Sequence, residues 1–284
     1  MPYIKRGFYS LFNGTALRQT ILTRQSCEMS SQPWNCALIT GGGGGLGKVF
    51  AQSLIKRGKK VYLAGRTESN LAQTTKEIGA AGYFVVDVGN TSSLPAFVDK
   101  VTKEAPEIDC LLNNAGIQKP LNFEKGADLN AITQEINTNI TGLVHLCALF
   151  IPHLRQKQHA SIQNVASGLA YVPIAVVPVY CATKAFVKSF TLSLREQLRS
   201  TNISVIEISP PLVESDLHRD HDNPNNNKKS NSPHALTQEE WIAHVEKGWD
   251  EGKEEIGAGF SQSGIDAWRK SFGELHSKMA SQSH

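Results

Sequence analysis

The chain has 284 residues and a net charge of +3. This length suits one domain with a sizeable core, and no basic run is interleaved with aromatic residues, so no nucleic-acid partner is predicted. No apolar run reaches the roughly 18 residues of a membrane-spanning helix, so no integral membrane segment is predicted. The five cysteines are scattered, without metal-ligand spacing, and are predicted to be reduced core thiols of an intracellular protein that binds no metal.

Residues 1–33 differ in composition from the remainder of the chain. Between Met1 and Cys27 there is no acidic residue, while four basic residues alternate with apolar ones. This pattern resembles a mitochondrial transit peptide, and a disordered N-terminal extension is the alternative. We therefore expect a cytoplasmic or mitochondrial location and leave this segment out of the fold prediction.

From residue 34 onward, short β-branched runs alternate with amphipathic stretches. Buried strands are predicted over 36–40, 60–65, 82–88, 108–116, 160–167 and 203–209. Helices are predicted over 47–58, 91–106, 143–154 and 185–198. Because neighbouring parallel strands need crossover connections, this alternation predicts an α/β domain with a parallel sheet and helices on both faces. The domain is assigned to residues 34–273, and 274–284 to a tail.

One interval breaks the alternation. Residues 218–234 are polar and rich in Asn and Ser, so they are predicted to form a mobile surface loop or a lid, with a tolerated insertion as the alternative. The sequence "TQEE" at 237–240 predicts a capping box that begins a helix. A short final strand is predicted within 254–260.

A glycine cluster, "TGGGGGLG" from Thr40 to Gly47, joins the first strand to the first helix. Glycine in this turn lets the backbone approach a diphosphate, and the helix N-terminus directs N–H groups at the anion. Glycine repeats also occur in linkers, but a cluster after the first strand of a βαβ unit indicates a dinucleotide site.

The end of the second strand indicates which dinucleotide binds. A carboxylate there would bind the ribose 2′-hydroxyl and repel a 2′-phosphate, but this chain has Gly65 and Arg66. NADP is therefore predicted over NAD, although Glu68 and the absence of a basic residue in the glycine loop argue slightly against it. Asp87, after the third strand, is predicted to lie near the adenine.

Tyr180 and Lys184 are four residues apart in apolar surroundings. On a helix this spacing puts both side chains on one face, where an ammonium favours the phenolate and lowers the tyrosine pKa. Such a tyrosine can donate or accept a proton near neutral pH. A chance pair on a helix surface is the alternative.

Taken with "NNAG" (113–116) and "NITG" (139–142), these motifs resemble those of the short-chain dehydrogenases/reductases over residues 35–217. The resemblance implies a single-domain Rossmann fold, a doubly wound parallel sheet that carries the catalytic residues within the same domain. The implied catalytic residues are Ser167, Tyr180, Lys184 and Asn139. The implied cofactor-binding residues are Thr40, Gly41, Gly45, Leu46, Gly47, Arg66, Asp87, Asn114, Ala115, Gly116, Tyr180, Lys184, Val213 and Ser215.

The resemblance also implies a mechanism. Ser167 would bind the substrate carbonyl oxygen, Tyr180 would donate the proton, and Lys184 would lower the tyrosine pKa and hold the nicotinamide ribose. Asn139 would anchor a water that links Lys184 to solvent. The partners implied are a small carbonyl or alcohol substrate and further copies of the chain in a homodimer or homotetramer.

The sequence departs from the family pattern after the sixth strand, where Pro211 replaces a glycine and Ser215 a threonine. The neighbouring segment 168–178 is mostly apolar, which favours a hydrophobic ketone or secondary alcohol as substrate. The alternatives are a catalytically silent cofactor-binding regulator of the same fold, against which the intact catalytic residues argue, and an epimerase or dehydratase, for which the region after Leu217 is too short.

Overall fold

The computed structural model describes residues 32–282, so the predicted transit peptide or disordered extension falls almost wholly outside the described residues. The strands are β1 (Cys36–Thr40), β2 (Lys60–Gly65), β3 (Gly82–Val85), β4 (Cys110–Asn113), β5 (Ala160–Val165), β6 (Ile203–Ser209) and β7 (Glu255–Gly257). The α-helices are α1 (Gly45–Lys56), α2 (Glu68–Ile78), α3 (Leu94–Glu104), α4 (Leu129–Ile136), α5 (Gly142–Leu154), α6 (Pro178–Leu198), α7 (Gln238–Asp250) and α8 (Gly259–Ser281).

The seven strands form one parallel sheet in the order β3-β2-β1-β4-β5-β6-β7. The chain reverses its direction of travel across the sheet between β1 and β4. In a doubly wound sheet, the crevice at the carboxyl ends of the strands beside this reversal is where ligands bind. The predicted α/β fold, a single-domain doubly wound parallel sheet, is confirmed.

The sheet is buried on both faces. Leu38 in β1 packs into the core on one face with Phe150, whereas its neighbour Ile39 packs on the other face with Trp241 and Trp249. This alternation follows from the two-residue period of a strand. Helices cover both faces, so the sheet provides a rigid base for the loops at its carboxyl edge.

Two local sequence predictions are confirmed in detail. The Thr237 hydroxyl accepts from the Glu240 N–H at 3.1 Å, and the Glu240 carboxylate accepts from the Thr237 N–H at 2.9 Å, so α7 begins with a capping box. The short strand predicted within 254–260 is β7.

The last helix extends beyond the boundary that composition suggested. The sequence assigned 274–284 to a tail, whereas α8 spans 23 residues and continues to Ser281. Its early part contacts the core through Ser261 and Ile265, which are buried. Few later residues are buried, and this explains why hydrophobic periodicity did not indicate a helix there.

Within residues 32–282, no helix is both long and apolar enough to cross a lipid bilayer. The cysteines that the structure describes there are buried and form no disulfide, as predicted: Cys36, Cys110, Cys147 and Cys181. Cys27 lies outside the described residues.

Candidate active site

The glycine loop connects β1 to α1 at the carboxyl edge of the sheet. A Cβ on Gly47 would lie 2.2 Å from the Gly41 carbonyl oxygen, so only glycine fits where α1 passes the loop. Gly41 itself has φ +66°, in the left-handed region. In contrast, no heavy atom lies within 4 Å of a Cβ on Gly44 or Gly45. The loop is therefore closely packed against the protein on one side and accessible on the other, as an anion-binding loop requires.

We expect Gly47→Ala to destabilise the protein by about 2–3 kcal/mol, because the methyl group would overlap backbone that cannot move independently. Gly44→Ala is the matched control, since its Cβ meets no neighbour and its φ of 174° is extended backbone. Thermal unfolding of both variants tests this expectation. Equal melting temperatures for Gly47→Ala and the unmodified protein would contradict it.

Thr40 holds the loop to the end of β4. Its hydroxyl oxygen accepts from the N–H groups of Asn114 and Ala115, each at 3.0 Å, and the Asn114 amide donates back to the Thr40 carbonyl at 3.0 Å. The predicted "NNAG" segment is thereby fixed against the glycine loop. Both motifs flank the same crevice because β1 and β4 are adjacent.

A cavity of about 1010 Å³ opens over this crevice. Most of the predicted site residues line it: Gly41, Gly45, Leu46, Arg66, Asp87, Asn114, Ala115, Gly116, Ser167, Tyr180, Lys184, Val213 and Ser215. Thr40, Gly47 and Asn139 lie behind this lining, where they hold the backbone that carries it. The tertiary structure therefore brings the glycine loop, "NNAG" and the Tyr180–Lys184 pair, which are distant in sequence, to one cavity, with Asn139 directly behind it.

Arg66 lies at the end of the cavity formed by β2 and α2. Its exposed guanidinium makes no hydrogen bond or ion pair with residues 32–282, and so is available to an anionic ligand. Glu68, which argued against NADP, does not line the cavity, and its carboxylate accepts from the Tyr83 hydroxyl at 3.3 Å. The Glu68 carboxylate is thus engaged outside the cavity lining.

Asn139 lies in a π-helical turn, Asn137–Thr141, between α4 and α5. Such turns are uncommon and occur frequently at functional sites. Its side chain accepts from the Ile117 N–H at 2.9 Å and donates to the Ile117 carbonyl at 2.9 Å and to the Thr183 hydroxyl at 3.1 Å. Asn139 therefore fixes the segment after β4 against α6.

Ser167, Tyr180 and Lys184 converge in the cavity from the end of β5 and the first turns of α6. All three are buried, at 8%, 5% and 4% exposure. The Ser167 hydroxyl accepts from the Leu169 N–H at 3.1 Å, and its hydrogen bonding acts to lower the pKa of Tyr180. The Lys184 ammonium donates to the Val165 carbonyl at 2.8 Å and lies 5.6 Å from the centre of the Tyr180 ring. Two hydroxyls and one ammonium therefore face a common space.

The electrostatics differ from the sequence-based expectation in one respect. An ammonium beside Tyr180 was expected to lower the tyrosine pKa, but burial raises this pKa above its ordinary value, with the Ser167 hydrogen bond opposing the rise. Burial also lowers the pKa of Lys184 to about 8, with the charge of Glu135 opposing the fall. Low polarity disfavours the charged form of both groups, and this effect exceeds the opposing contributions of Ser167 to Tyr180 and of Glu135 to Lys184.

The loop after β6 carries the residues that replace the family's glycine and threonine. Pro210 accepts from the Gly168 N–H at 3.0 Å, and Ser215 accepts from the Leu217 N–H at 3.4 Å. Val213 forms an isolated bridge with Leu236. Proline at 211 is thus accommodated in a loop that is anchored at both ends.

The polar interval 218–234 forms short turns that pack over the cavity. Asn227 is buried and donates to the Ser215 carbonyl at 2.8 Å, and the His221 ring is 2.7 Å from the Gln118 side-chain oxygen. Asp220 pairs with Lys119 at 2.7 Å. These polar contacts, rather than apolar burial, position the interval, which is why composition alone gave no indication of them.

Several residues that line the cavity were not indicated by any sequence motif. Gln118 lies two residues after "NNAG" and is only 3% exposed. His218, Arg219 and His221 come from the polar interval, and Phe260 from α8. Their proximity to the site depends on long-range packing, so only the position of Gln118, two residues after a recognised motif, offered a signal.

Comparisons with known proteins agree with this geometry. A family model described as short chain dehydrogenase matches residues 35–226. The uncharacterized oxidoreductase DltE of Bacillus subtilis is 39% identical over 249 residues, which cover 87% of this chain and 97% of the relative. The NADP-dependent 3-hydroxy acid dehydrogenase of Schizosaccharomyces pombe is 33% identical over 231 residues, with 76% and 87% covered.

Among solved structures, the closed form of serine dehydrogenase complexed with NADP⁺ superposes with a TM-score of 0.68 at 28% identity, covering 78% of this chain and 94% of that one. Fold, motifs and family match lead to one assignment. The chain belongs to the short-chain dehydrogenase family of NAD(P)-dependent oxidoreductases.

Proposed function

We propose that the protein is an NADP-dependent oxidoreductase that interconverts a carbonyl compound and its alcohol. One observation carries the proposal: the hydroxyls of Ser167 and Tyr180 and the ammonium of Lys184 line the same cavity as the glycine loop. The names of two relatives, an NADP-dependent 3-hydroxy acid dehydrogenase and a serine dehydrogenase complexed with NADP⁺, support it.

The residues that line the cavity have the chemistry needed to bind NADP. The open side of the glycine loop and the N-terminus of α1 would bind the diphosphate, and the unpaired Arg66 guanidinium would bind the 2′-phosphate. Asp87 would accept from the adenine amine. The groups around the nicotinamide and its ribose would be Asn114, Ala115, Gly116, Tyr180, Lys184, Val213 and Ser215.

The bound cofactor supplies or accepts the hydride. The Ser167 hydroxyl would donate to the substrate oxygen, where negative charge develops, and Tyr180 would give that oxygen its proton. Because burial raises the Tyr180 pKa, the phenol remains protonated at neutral pH, as a proton donor must. Alcohol oxidation needs the phenolate instead, so its rate should increase with pH.

The substrate end of the cavity combines an apolar wall with a polar rim. Leu169, Ile174 and Leu217 form part of the wall, and Gln118 and His221 lie at the rim. The wall supports a hydrophobic ketone or secondary alcohol as substrate, since apolar surface contributes most of the binding energy of such ligands.

The decisive experiment follows the nicotinamide absorbance of NADPH with a panel of aliphatic and aromatic ketones, and of NADP⁺ with the matching alcohols. We expect turnover with at least one hydrophobic pair. Tight NADPH binding without turnover for any member of the panel would favour the silent regulator instead.

We further propose that the polar interval 218–234 acts as a lid over the substrate. It is held between the loop that carries Ser215 and the capped start of α7, and polar contacts alone tie it to the cavity. Replacing 221–232 with a short Gly-Ser linker should raise KM several-fold, because the contact of His221 with Gln118 is lost. Steady-state kinetics tests this, and unchanged KM and kcat for every substrate would identify the interval as a tolerated insertion.

A further inference from the structure

Glu135 is a buried carboxyl that the mechanism above does not use. It lies near the end of α4 and has 0% exposure. One oxygen, Oε1, accepts from the backbone N–H of Lys119 at 3.2 Å. The other, Oε2, is buried and has no hydrogen-bond partner among residues 32–282. A carboxylate so placed is costly, because each buried charge needs a partner to offset its lost hydration.

Glu135 and Asn139 support the same segment of the candidate site. It precedes Asn139 by one helical turn, and both side chains hold the segment after β4, Asn139 through Ile117 and Glu135 through Lys119. Gln118, which lies between these two contacts, lines the cavity. Glu135 is therefore on the inner side of the same wall that faces the substrate.

Lys184 approaches this wall from α6. A Cβ on Gly116 would be 3.4 Å from Asn139 Oδ1 and 3.6 Å from Lys184 Nζ. The side-chain atoms of Asn139 and Lys184 therefore both lie next to Gly116. Lys184 makes no ion pair with the described residues, and its ammonium donates to the Val165 carbonyl. A buried cation and a buried carboxyl thus lie in one site without a direct salt bridge.

The groups that act on the Glu135 carboxyl come from two elements. The segment after β4 provides Lys119, whose own ammonium pairs with Asp220, and α6 provides Lys184 and Tyr180. Burial raises the pKa of Glu135 to about 7, with the Lys119 N–H and the charges of Lys119 and Lys184 opposing the rise. The pKa of Lys184 is lowered to about 8. The two groups therefore have similar proton affinities near neutral pH, although no hydrogen bond or ion pair joins them directly.

We propose that Glu135 is a proton-relay residue that acts through Lys184, an inference that rests on the proposed function. In reduction, the O–H bond of Tyr180 breaks as an O–H bond forms on the substrate oxygen, and the phenolate then regains a proton from the Lys184 ammonium. Lys184 regains its proton from the Glu135 carboxyl through an intervening water, since the two side chains are not in direct contact, and the carboxylate is reprotonated from solvent by the same route through the cavity. Oxidation runs the same transfers in reverse.

A purely structural role is the competing explanation. An acceptor for the Lys119 N–H needs no ionisable group, since an amide oxygen serves as well. Glu135→Gln retains the shape and this acceptor and removes only the ionisation. It therefore separates the two explanations, provided that the measurement is a pH profile rather than a single rate.

We expect Glu135→Gln to lower kcat about 10-fold at neutral pH while KM and NADPH affinity change little. The Glu135 carboxylate raises the pKa values of Tyr180 and Lys184, so its removal lowers both. Reduction needs these groups protonated, and the basic limb of its pH profile should move about 1 unit to lower pH. Glu135→Asp, which keeps an ionisable carboxyl, should recover part of kcat.

Glu207→Gln is the matched control. Glu207 is also a fully buried carboxyl with a raised pKa, but it accepts from Tyr171 at 2.8 Å and from Ser209 at 2.6 Å and does not line the cavity. Removing the Glu207 carboxylate should leave the pH profile of kcat unchanged. Superimposable profiles for Glu135→Gln and the unmodified enzyme, with equal kcat, would overturn the proposal.

The pH dependence of unfolding provides a readout that needs no activity. The folded pKa of Glu135 is raised from 4.5 to about 7, so the folded state binds more protons than the unfolded state between these pH values. The melting temperature of Glu135→Gln should therefore increase relative to that of the unmodified protein as the pH rises from 4.5 to 7. The difference between the two melting temperatures should be constant above pH 7. A difference that does not vary with pH would contradict the ionisation itself. If no substrate is turned over but Glu135→Gln still shows this pH trend, the proposed function would be excluded, whereas the ionisation of the buried Glu135 carboxyl would be confirmed.

Discussion

Tyr180→Phe is expected to lower kcat by about 10²- to 10⁴-fold, the usual contribution of a positioned general acid. The phenol is the proposed proton donor and lines the cavity with Ser167, and the benzene ring of phenylalanine retains the packing of a residue that is only 5% exposed. NADPH affinity, measured by fluorescence titration, should therefore change little. Stopped-flow or steady-state absorbance measures the loss.

The control for this variant is Tyr62→Phe, which removes a hydroxyl that is bonded to Glu107 at the outer part of β2. It should retain full turnover. Near-normal turnover of Tyr180→Phe would mean that another group supplies the proton, and the assignment of Tyr180 would be wrong. A large drop in NADPH affinity would show that the hydroxyl binds the cofactor rather than the substrate oxygen.

Arg66→Asp is expected to weaken NADPH binding by about 10- to 100-fold and to bring NADPH and NADH to similar dissociation constants. A charge-assisted hydrogen bond to a phosphate contributes about 1.5–3 kcal/mol, and an aspartate there adds repulsion. Because Arg66 is exposed, the preference of the unmodified protein for NADPH should also decrease with added salt. Titration of both cofactors at two salt concentrations measures these effects.

Lys76→Asp provides the matched control, because Lys76 is also an exposed cation, lies in the helix that follows Arg66 and does not line the cavity. It should leave the cofactor preference unchanged. Equal affinity of the unmodified protein for NADPH and NADH, or an unaltered preference in Arg66→Asp, would remove the assignment of the 2′-phosphate to Arg66.

Local patterns predicted the fold well where the backbone itself is constrained. The glycine loop needs glycine at Gly41 for its positive φ and at Gly47 for close approach, so its composition indicates its conformation. The capping box at Thr237 is likewise a local hydrogen-bond pattern. Helices α2, α4 and α8 were missed, because their few buried residues leave a weak periodic signal.

The sequence by itself determined the fold class and the family, and it selected Ser167, Tyr180 and Lys184 as the proposed catalytic residues, since these depend on spacing along the chain and on the stereochemistry of single turns. Only the tertiary structure decided the surroundings of these residues. Burial depends on which distant elements pack together, and it is burial that raises the pKa of Tyr180, lowers that of Lys184 and places the Glu135 carboxyl behind them. The electrostatics of the site are long-range properties, and no short motif specifies them.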